Sequence, residues 1–93
     1  GQWVYPLEIE LCLVGHPYIK ECAVLGVELA DKRMTTKAFV VLNEGCRGNN
    51  ILTRDLKDYA KDKLLPHKYP RSIIYLESLP KTGSGKIDRQ KLI

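Results

Sequence analysis

The segment Lys37-Ala38-Phe39-Val40-Val41-Leu42 indicates how this 93-residue chain folds. Its apolar residues follow one another without a polar interruption, which is typical of a strand that is buried on both faces. We therefore expect it to be the central strand of a small sheet. Residues 19–27 are rich in β-branched and other apolar side chains and predict a second strand. The polar, turn-like residues 30–36 join the two strands, most simply as a hairpin.

A helical pattern precedes these two strands. Pro6 suits the first turn of a helix over residues 6–14. Glu8 and Glu10 favour its positive N-terminal end, and Gly15 ends it. The apolar face at helical spacing consists of Leu7, Leu11 and Val14.

A second helix is expected from an N-cap at Thr53 through residues 64–65, where Pro66 ends it. Its inward stripe consists of Leu56, Tyr59, Ala60, the aliphatic stem of Lys63, and Leu64. Residues 72–76 predict a third strand, and residues 88–93 predict the start of a short helix. This order of elements predicts an α+β fold, namely a two-layer sandwich in which a three-stranded, mostly antiparallel sheet carries helices on one face.

The bulk composition is that of one small domain over residues 1–93. Hydrophobic residues make up 44% and charged residues 28% of the chain, which are the proportions of a soluble globular protein. We expect no membrane partner, because no apolar run approaches the ~18 residues of a membrane span. There is no signal-peptide pattern. The chain has no initiator Met and opens within a structured-looking stretch, so we expect a fragment of a longer protein.

The three cysteines fit neither a disulfide framework nor a metal site. Cys12, Cys22 and Cys46 are odd in number, whereas a disulfide framework uses an even number, and they show no C-x-x-C spacing of the kind found in zinc sites. Cys12 and Cys22 lie among apolar residues, so we expect them to be buried as small hydrophobic side chains. This use of cysteine predicts a reducing, cytoplasmic location.

Positive charge is concentrated in the second half of the chain. Residues 1–53 carry five Lys or Arg against six Asp or Glu, whereas residues 54–93 carry ten against five. A basic half can face an anionic ligand or a nucleic acid. Residues 54–63 nevertheless alternate in sign, as a solvated helix face does, and no nucleic-acid-binding motif is present. We therefore expect no nucleic-acid partner.

The loop at residues 79–89 presents a lysine on an almost bare backbone. Two glycines and a serine precede Lys86, and glycine lets a ligand approach the backbone closely. The ammonium is therefore suited to reach a phosphate or a carboxylate in another part of a site. A phosphate-binding P-loop is excluded, because Pro80 stands where that motif needs its first glycine and no Ser or Thr follows Lys86. The alternative is a mobile surface loop with a solvated lysine.

The turn between the second helix and the third strand is another candidate site. Lys68 or Arg71 can bind phosphate, and His67 or Tyr69 can stack on a base. The alternative is a rigid basic connector, because prolines at both ends stiffen residues 66–70.

Together these segments resemble the C-terminal domain of the adenylate-forming superfamily, which includes acyl-CoA synthetases, aryl-CoA ligases, adenylation domains of peptide synthetases and luciferases. The matching blocks, in the order of the family, are Gly1 with Pro6-Leu7-Glu8-Ile9-Glu10, His16-Pro17, Glu21-Cys22-Ala23-Val24, residues 37–42, His67-Lys68-Tyr69-Pro70-Arg71, and Leu79-Pro80-Lys81-Thr82 with Gly85-Lys86-Ile87 and Arg89. Within the superfamily the chain looks most like benzoate-CoA ligases and related aryl- or acyl-CoA ligases.

The resemblance implies a mobile lid on an ATP-dependent carboxylate-CoA ligase, whose own large N-terminal domain holds most of the ATP and the Mg²⁺. Such enzymes first convert a small carboxylic acid, here an aryl acid such as benzoate, into an acyl-adenylate with release of pyrophosphate. CoA then displaces AMP to form the thioester after the lid has rotated. By resemblance, Lys86 serves the first step and Gly1 lines the pantetheine tunnel in the second. His67, Tyr69 and Arg71 match positions that contact the CoA nucleotide.

The resemblance also sets limits. Residues 28–36 lack the Pro-Asp and Gly of many members, which leaves the shape of that turn open. The hinge and the motifs of the large domain are absent, so we expect the isolated 93 residues to be inactive. The loop resembles the pattern that protein lysine acetyltransferases modify, which makes such an enzyme a candidate partner at Lys86. Two alternatives stay open: the lid of an adenylation domain that loads a carrier protein, and a binding module without a catalytic role.

Overall fold

The computed structural model describes residues 6–64 and 70–92. The elements are α1 (Pro6–Val14), β1 (Ile19–Glu28), β2 (Met34–Leu42), α2 (Asn50–Lys63), β3 (Ser72–Tyr75) and a closing 3-10 turn (Arg89–Leu92). No helix within the described ranges is long and apolar enough to cross a membrane.

Strand β2 lies between β1 and β3, as its apolar run predicted. β1 and β2 form an antiparallel hairpin whose register runs from Glu28 opposite Met34 to Ile19 opposite Leu42. β3 pairs with β2 in parallel over the length of Ser72–Tyr75, which is possible because α2 carries the chain back across the sheet between them. The predicted α+β fold with a three-stranded, mostly antiparallel sheet is therefore confirmed.

The two faces of the sheet bury different sets of side chains, because successive residues of a strand point in opposite directions. One face packs against both α-helices and forms the larger apolar cluster, with Ile9, Leu13, Ile19, Cys22, Val24, Ala38, Val40, Leu52, Leu56 and Ala60 at its centre. The opposite face forms a smaller cluster of Ala23, Phe39, Val41 and Leu79. Ile87 and Leu92 pack against this second cluster, so the C-terminal segment covers the face that the α-helices leave open.

Helix α1 turns a different face to the sheet from the one predicted. Ile9 and Leu13 are completely buried, whereas Leu7 and Leu11 are 62% and 64% exposed. Both pairs have the four-residue spacing of a helix face, so periodicity alone did not distinguish them. The prediction of an apolar face through Leu7, Leu11 and Val14 identified a real stripe, but this stripe faces solvent in the described chain.

Helix α2 begins earlier than predicted. Asn49 is its N-cap, and the Asn49 Oδ1 accepts a hydrogen bond of 2.8 Å from the backbone N–H of Leu52. The prediction of Thr53 as the cap was wrong; the Thr53 hydroxyl instead forms a 2.8 Å hydrogen bond with the Tyr75 hydroxyl. The earlier start adds Leu52 to the buried stripe. Lys63, which was expected to pack inward through its stem, is exposed with its ammonium 5.1 Å from the ring centre of Tyr59.

The turn between β1 and β2 is shorter than predicted, because β2 already begins at Met34. The backbone N–H of Leu29 donates to the carbonyl of Arg33 at 2.8 Å and closes the turn. Lys32 supplies the left-handed backbone, with φ of 67°. The turn therefore closes tightly without the glycine that the resemblance led us to look for.

The described cysteines are free thiols in different surroundings. Cys22 is 3% exposed, and its pKa is raised to about 12, mainly by burial and also by the Glu10 carboxylate, while the Arg89 guanidinium opposes the shift. Cys12 is only partly buried, less than predicted, and burial likewise raises its pKa. Cys46 is partly exposed in the loop after β2.

We expect the buried thiol to resist alkylation in the folded protein. Only a thiolate is a good nucleophile, and Cys22 keeps its proton at pH 8 because its pKa is about 12. Iodoacetamide at pH 8 should therefore label Cys46 at least ~10-fold faster than Cys22, as measured by peptide mass mapping over time. Unfolding in guanidinium should bring the two rates close together. Equal rates in the folded protein would contradict the burial of Cys22.

Gly48 lies against the ring of Tyr75, and we expect a larger residue there to destabilise the fold. A Cβ atom built on Gly48 would lie 2.3 Å from two ring atoms of Tyr75. Gly48→Ala should therefore lower the free energy of unfolding by about 1–3 kcal/mol, the usual cost of overpacking, as measured by urea denaturation. In a Tyr75→Ala background the same change should cost much less. An unchanged cost in that background would show that the ring is not the obstacle.

Candidate functional site

The loop at residues 79–89 is a narrow hairpin with a firmly attached base. Leu79 is buried in the second apolar cluster. Lys81 and Ile87 form an antiparallel bridge. The backbone N–H of Thr82 donates to the carbonyl of Lys86 at 2.7 Å, and that of Asp88 donates to the carbonyl of Pro80 at 2.8 Å. These bonds hold the two arms of the loop side by side.

The tip of the loop closes through its own polar groups. Gly85 has a φ of +86°, and its N–H donates to the carbonyl of Thr82 at 3.0 Å. The Thr82 Oγ1 accepts from the N–H of Lys86 at 3.3 Å and lies 3.0 Å from the Ser84 Oγ. The backbone at the tip is therefore fixed by local bonds, and the small side chains leave the space around it open.

Lys86 stands at the end of this tip with an exposed side chain. Its ammonium forms no hydrogen bond and no ion pair with any other residue of the described ranges. An ammonium in this state is free to bind an anionic group presented by another part of the protein, since charge-assisted bonds to phosphate or carboxylate are the strong ones.

Both arms of the loop are tied to strand β1 by charged side chains. On the entry arm, Lys81 forms an ion pair with Glu21. On the exit arm, the Arg89 Nη2 lies 3.0 Å from the Glu10 carboxylate of helix α1, and its Nη1 donates to the carbonyl of Val24 at 3.3 Å. Sequence reasoning missed both ties. No local pattern joins Arg89 to Glu10, which lies 79 positions earlier, although both residues belong to the blocks that carry the resemblance.

Arg71 is the other predicted site residue that the structure describes. It lies immediately before β3, its backbone N–H donates to the carbonyl of Thr36 at 3.1 Å, and its side chain is exposed. No hydrogen bond or ion pair links its guanidinium to Lys86 or to any other described residue. Gly1, His67 and Tyr69 lie outside the described residues, so their proposed contacts with CoA stay predictions.

A metal site is not formed by the described part of the chain. Within residues 6–64 and 70–92, no three His, Cys, Asp or Glu side chains come together as a possible set of ligands. The two described candidate site residues, Lys86 and Arg71, are cationic hydrogen-bond donors and suit anionic oxygen atoms rather than a metal ion.

The comparisons with known proteins match nearly the whole chain. Residues 8–86 match the family of AMP-binding enzyme C-terminal domains. Over 92 residues the chain is 45% identical to a benzoate–CoA ligase of Thauera aromatica, covering 99% of this chain and 18% of the relative. It is also 39% identical over 93 residues to a long-chain-fatty-acid–CoA ligase of Bacillus subtilis, covering 100% of this chain and 16% of the relative.

Solved structures give the same result. A benzoate CoA ligase from Burkholderia xenovorans LB400 superposes with a TM-score of 0.88 at 46% identity, covering 98% of this chain and 18% of that one. An anthranilate CoA ligase, AuaEII, in complex with anthranoyl-AMP superposes with a TM-score of 0.89 at 39% identity, covering 99% and 18%. The chain thus spans less than a fifth of the length of these relatives.

The left-handed backbone of Gly85 should be needed for the shape of the tip. An L-residue at a φ of +86° is strained by roughly 1–2 kcal/mol. Gly85→Ala should lower the free energy of unfolding by about that amount and speed amide hydrogen exchange at Lys86. Gly83→Ala is the matched control, because nothing lies within 4 Å of a Cβ built there. Equal stability and exchange in the two variants would contradict this account of the tip.

Proposed function

Because this chain belongs to the family of AMP-binding enzyme C-terminal domains, we propose that it is the mobile lid of an ATP-dependent carboxylate-CoA ligase. The full protein would form an acyl-adenylate and pyrophosphate from a carboxylic acid and ATP, and then an acyl-CoA thioester and AMP. The observation that carries this proposal is Lys86, a free and exposed cation on a narrow loop whose base is fixed to the sheet.

In the first half-reaction Lys86 would stabilise charge at the reacting phosphorus. A carboxylate oxygen of the acid attacks the α-phosphorus of ATP, and pyrophosphate leaves. Negative charge spreads over the phosphoryl oxygens as this happens, and a positioned ammonium lowers the barrier most when it is aimed at that charge. Gly83, Ser84 and Gly85 carry so little side chain that the nucleotide can approach the tip closely. Since the described residues offer no set of metal ligands, Mg²⁺ would be held by the large domain.

In the second half-reaction the lid would turn a different surface toward the large domain. The loop must leave the site so that the CoA thiol can reach the acyl carbon, and such lid movements gate many enzymes. Arg71 supports this arrangement because its guanidinium is exposed and unpaired within the described chain, ready for a phosphate of CoA. We propose the same role for His67 and Tyr69, and a place beside the pantetheine arm for Gly1.

An aryl acid such as benzoate is the substrate class that we propose. The support is the identity of 45% and 46% to two benzoate CoA ligases. The identity of 39% to a long-chain-fatty-acid–CoA ligase makes a panel of acids necessary, because the acyl pocket would lie in the large domain.

We also propose that acetylation of Lys86 switches the first half-reaction off, with a protein lysine acetyltransferase as the partner. The side chain is exposed and therefore accessible to a modifying enzyme. Acetylation removes the positive charge, and adenylate formation depends on that charge in this mechanism.

The absence of disulfides among the described cysteines suits the cytoplasmic location that we propose for the enzyme.

Lys86→Ala in the full-length protein should separate the two half-reactions. We expect adenylate formation from ATP and a carboxylate panel headed by benzoate to fall about 100-fold or more, the usual loss when a donor to a developing anion is removed. Thioester formation from preformed benzoyl-adenylate and CoA should stay within about threefold. Lys91→Ala, at another exposed lysine, is the control and should leave both rates unchanged.

Protein acetylated stoichiometrically at Lys86 forms the second arm of this experiment and should behave like Lys86→Ala. Full adenylation activity in that preparation would rule out the acetylation switch. Full activity of Lys86→Ala itself would contradict the lid mechanism and favour a binding module without a catalytic role.

A further inference from the structure

We infer that Arg89, held by Glu10, is a positioning residue that aims Lys86 during adenylate formation. This inference rests on the proposed function, because it concerns the half-reaction in which Lys86 acts. Arg89 does not need to touch the substrate for this role. It would act through the short backbone segment that separates it from Lys86.

Arg89 is bonded to Glu10 of helix α1 and to Val24 of strand β1, and these two residues are also bonded to each other. Its Nη2 binds the Glu10 carboxylate at 3.0 Å, and its Nη1 donates to the carbonyl of Val24 at 3.3 Å. The Glu10 Oε2 in turn accepts from the backbone N–H of Val24 at 3.1 Å. Each of the three residues therefore contacts the other two. A planar guanidinium is suited to this arrangement, because its donors have a fixed direction that an ammonium lacks.

Burial makes this ion pair more directional than an ordinary surface pair. The Glu10 side chain is only 12% exposed, and the Arg89 side chain is 42% exposed. By contrast, the side chains of Arg33 and Asp31 in the β1–β2 turn are 74% and 52% exposed. Exposed ion pairs of this kind contribute little to the stability of the fold. The Glu10 Oε2 accepts from the backbone N–H of Val24, a contact that does not involve Arg89, and this leaves Oε1 to accept from the Arg89 guanidinium.

The tie at Arg89 determines the direction of the exit arm. The hydrogen bonds between Thr82 and Lys86 close the tip upon itself, but they do not attach the tip to the sheet. That attachment comes from the two arms, through the packing of Leu79 and Ile87 on the sheet and through the charged ties of Lys81 to Glu21 and of Arg89 to Glu10. Without Arg89, the closed tip could pivot about the entry arm. A displacement of ~1 Å at a reacting group can cost on the order of 100-fold in rate.

Loss of the pair should leave the fold largely intact. Both apolar clusters consist of other side chains, so substitution of Arg89 removes none of their buried apolar surface. The two possible roles of the pair therefore predict different results of substitution. If the pair only stabilises the fold, its loss should lower stability and the rates of both half-reactions together. If it positions Lys86, its loss should lower the rate of adenylate formation alone.

The test uses the full-length protein with Arg89→Gln, Glu10→Gln and the double variant, and Arg33→Gln as the matched control. We expect each single variant to lower kcat for adenylate formation from ATP and benzoate by about tenfold or more, with KM for both substrates within about threefold, which is the pattern of an interaction needed only in the transition state. Thioester formation from benzoyl-adenylate should stay within about twofold. The double variant should be no slower than the slower single variant, because both changes break the same link. Arg33→Gln should match the unsubstituted protein.

Several outcomes would overturn the inference. Adenylation within twofold of the unsubstituted protein in either folded variant would do so, and so would a parallel loss of both half-reactions together with Tm. If Arg89→Gln does not fold, Glu10→Gln decides, because its amide oxygen can still accept from Val24. If Lys86→Ala loses adenylation while Arg89→Gln keeps it, only this inference fails. If the unsubstituted protein forms no adenylate from any acid of the panel, the proposed function fails, and this inference fails with it.

Discussion

Strand β2 is covered on both faces, and the rest of the chain is arranged around this requirement. The α-helices cover one face, while Phe39 and Val41 on the other face need a different cover. Leu79 and Ile87 supply part of it, and they are the residues from which the loop of Lys86 rises. Burial of apolar surface is the dominant favourable term in folding. The base of the loop is therefore placed by the same force that forms the sheet, and the ion pairs of Lys81 and Arg89 add to this by tying its two arms to neighbouring elements.

The fold could be predicted where one pattern had one interpretation. The unbroken apolar run of β2, rich in β-branched side chains, favours a central strand, and the order of elements then leaves few topologies. Prediction failed where two patterns satisfied the same rule. Helix α1 contains two apolar stripes, and only packing against β1 selects Ile9 and Leu13 over Leu7 and Leu11. In the same way, the side chains of Asn49 and Thr53 are both suited to an N-cap. In the structure Asn49 is the cap, and the Thr53 hydroxyl is hydrogen-bonded to the hydroxyl of Tyr75.

The candidate site also has a part that could be predicted from the sequence and a part that could not. The exposed position of Lys86 on a bare tip could be predicted, because the small residues around it are adjacent in the sequence. The ties that hold the tip could not, because Arg89 and Glu10 meet only after the sheet has formed. A fixed base with an open tip suits the proposed lid, which would deliver one charge in the first half-reaction and withdraw it before the second.

The bonds to Val24 have a consequence for the solubility of the protein. β1 is an edge strand, and the backbone N–H and carbonyl of Val24 are bonded to Glu10 and Arg89. In an antiparallel ladder the two groups of one residue point the same way, so here both lie on the outer side, away from β2. Open edges of this kind recruit strands from other molecules and start aggregation. The charged pair occupies the middle of this edge, so it would keep the proposed lid from pairing with other chains during its movement.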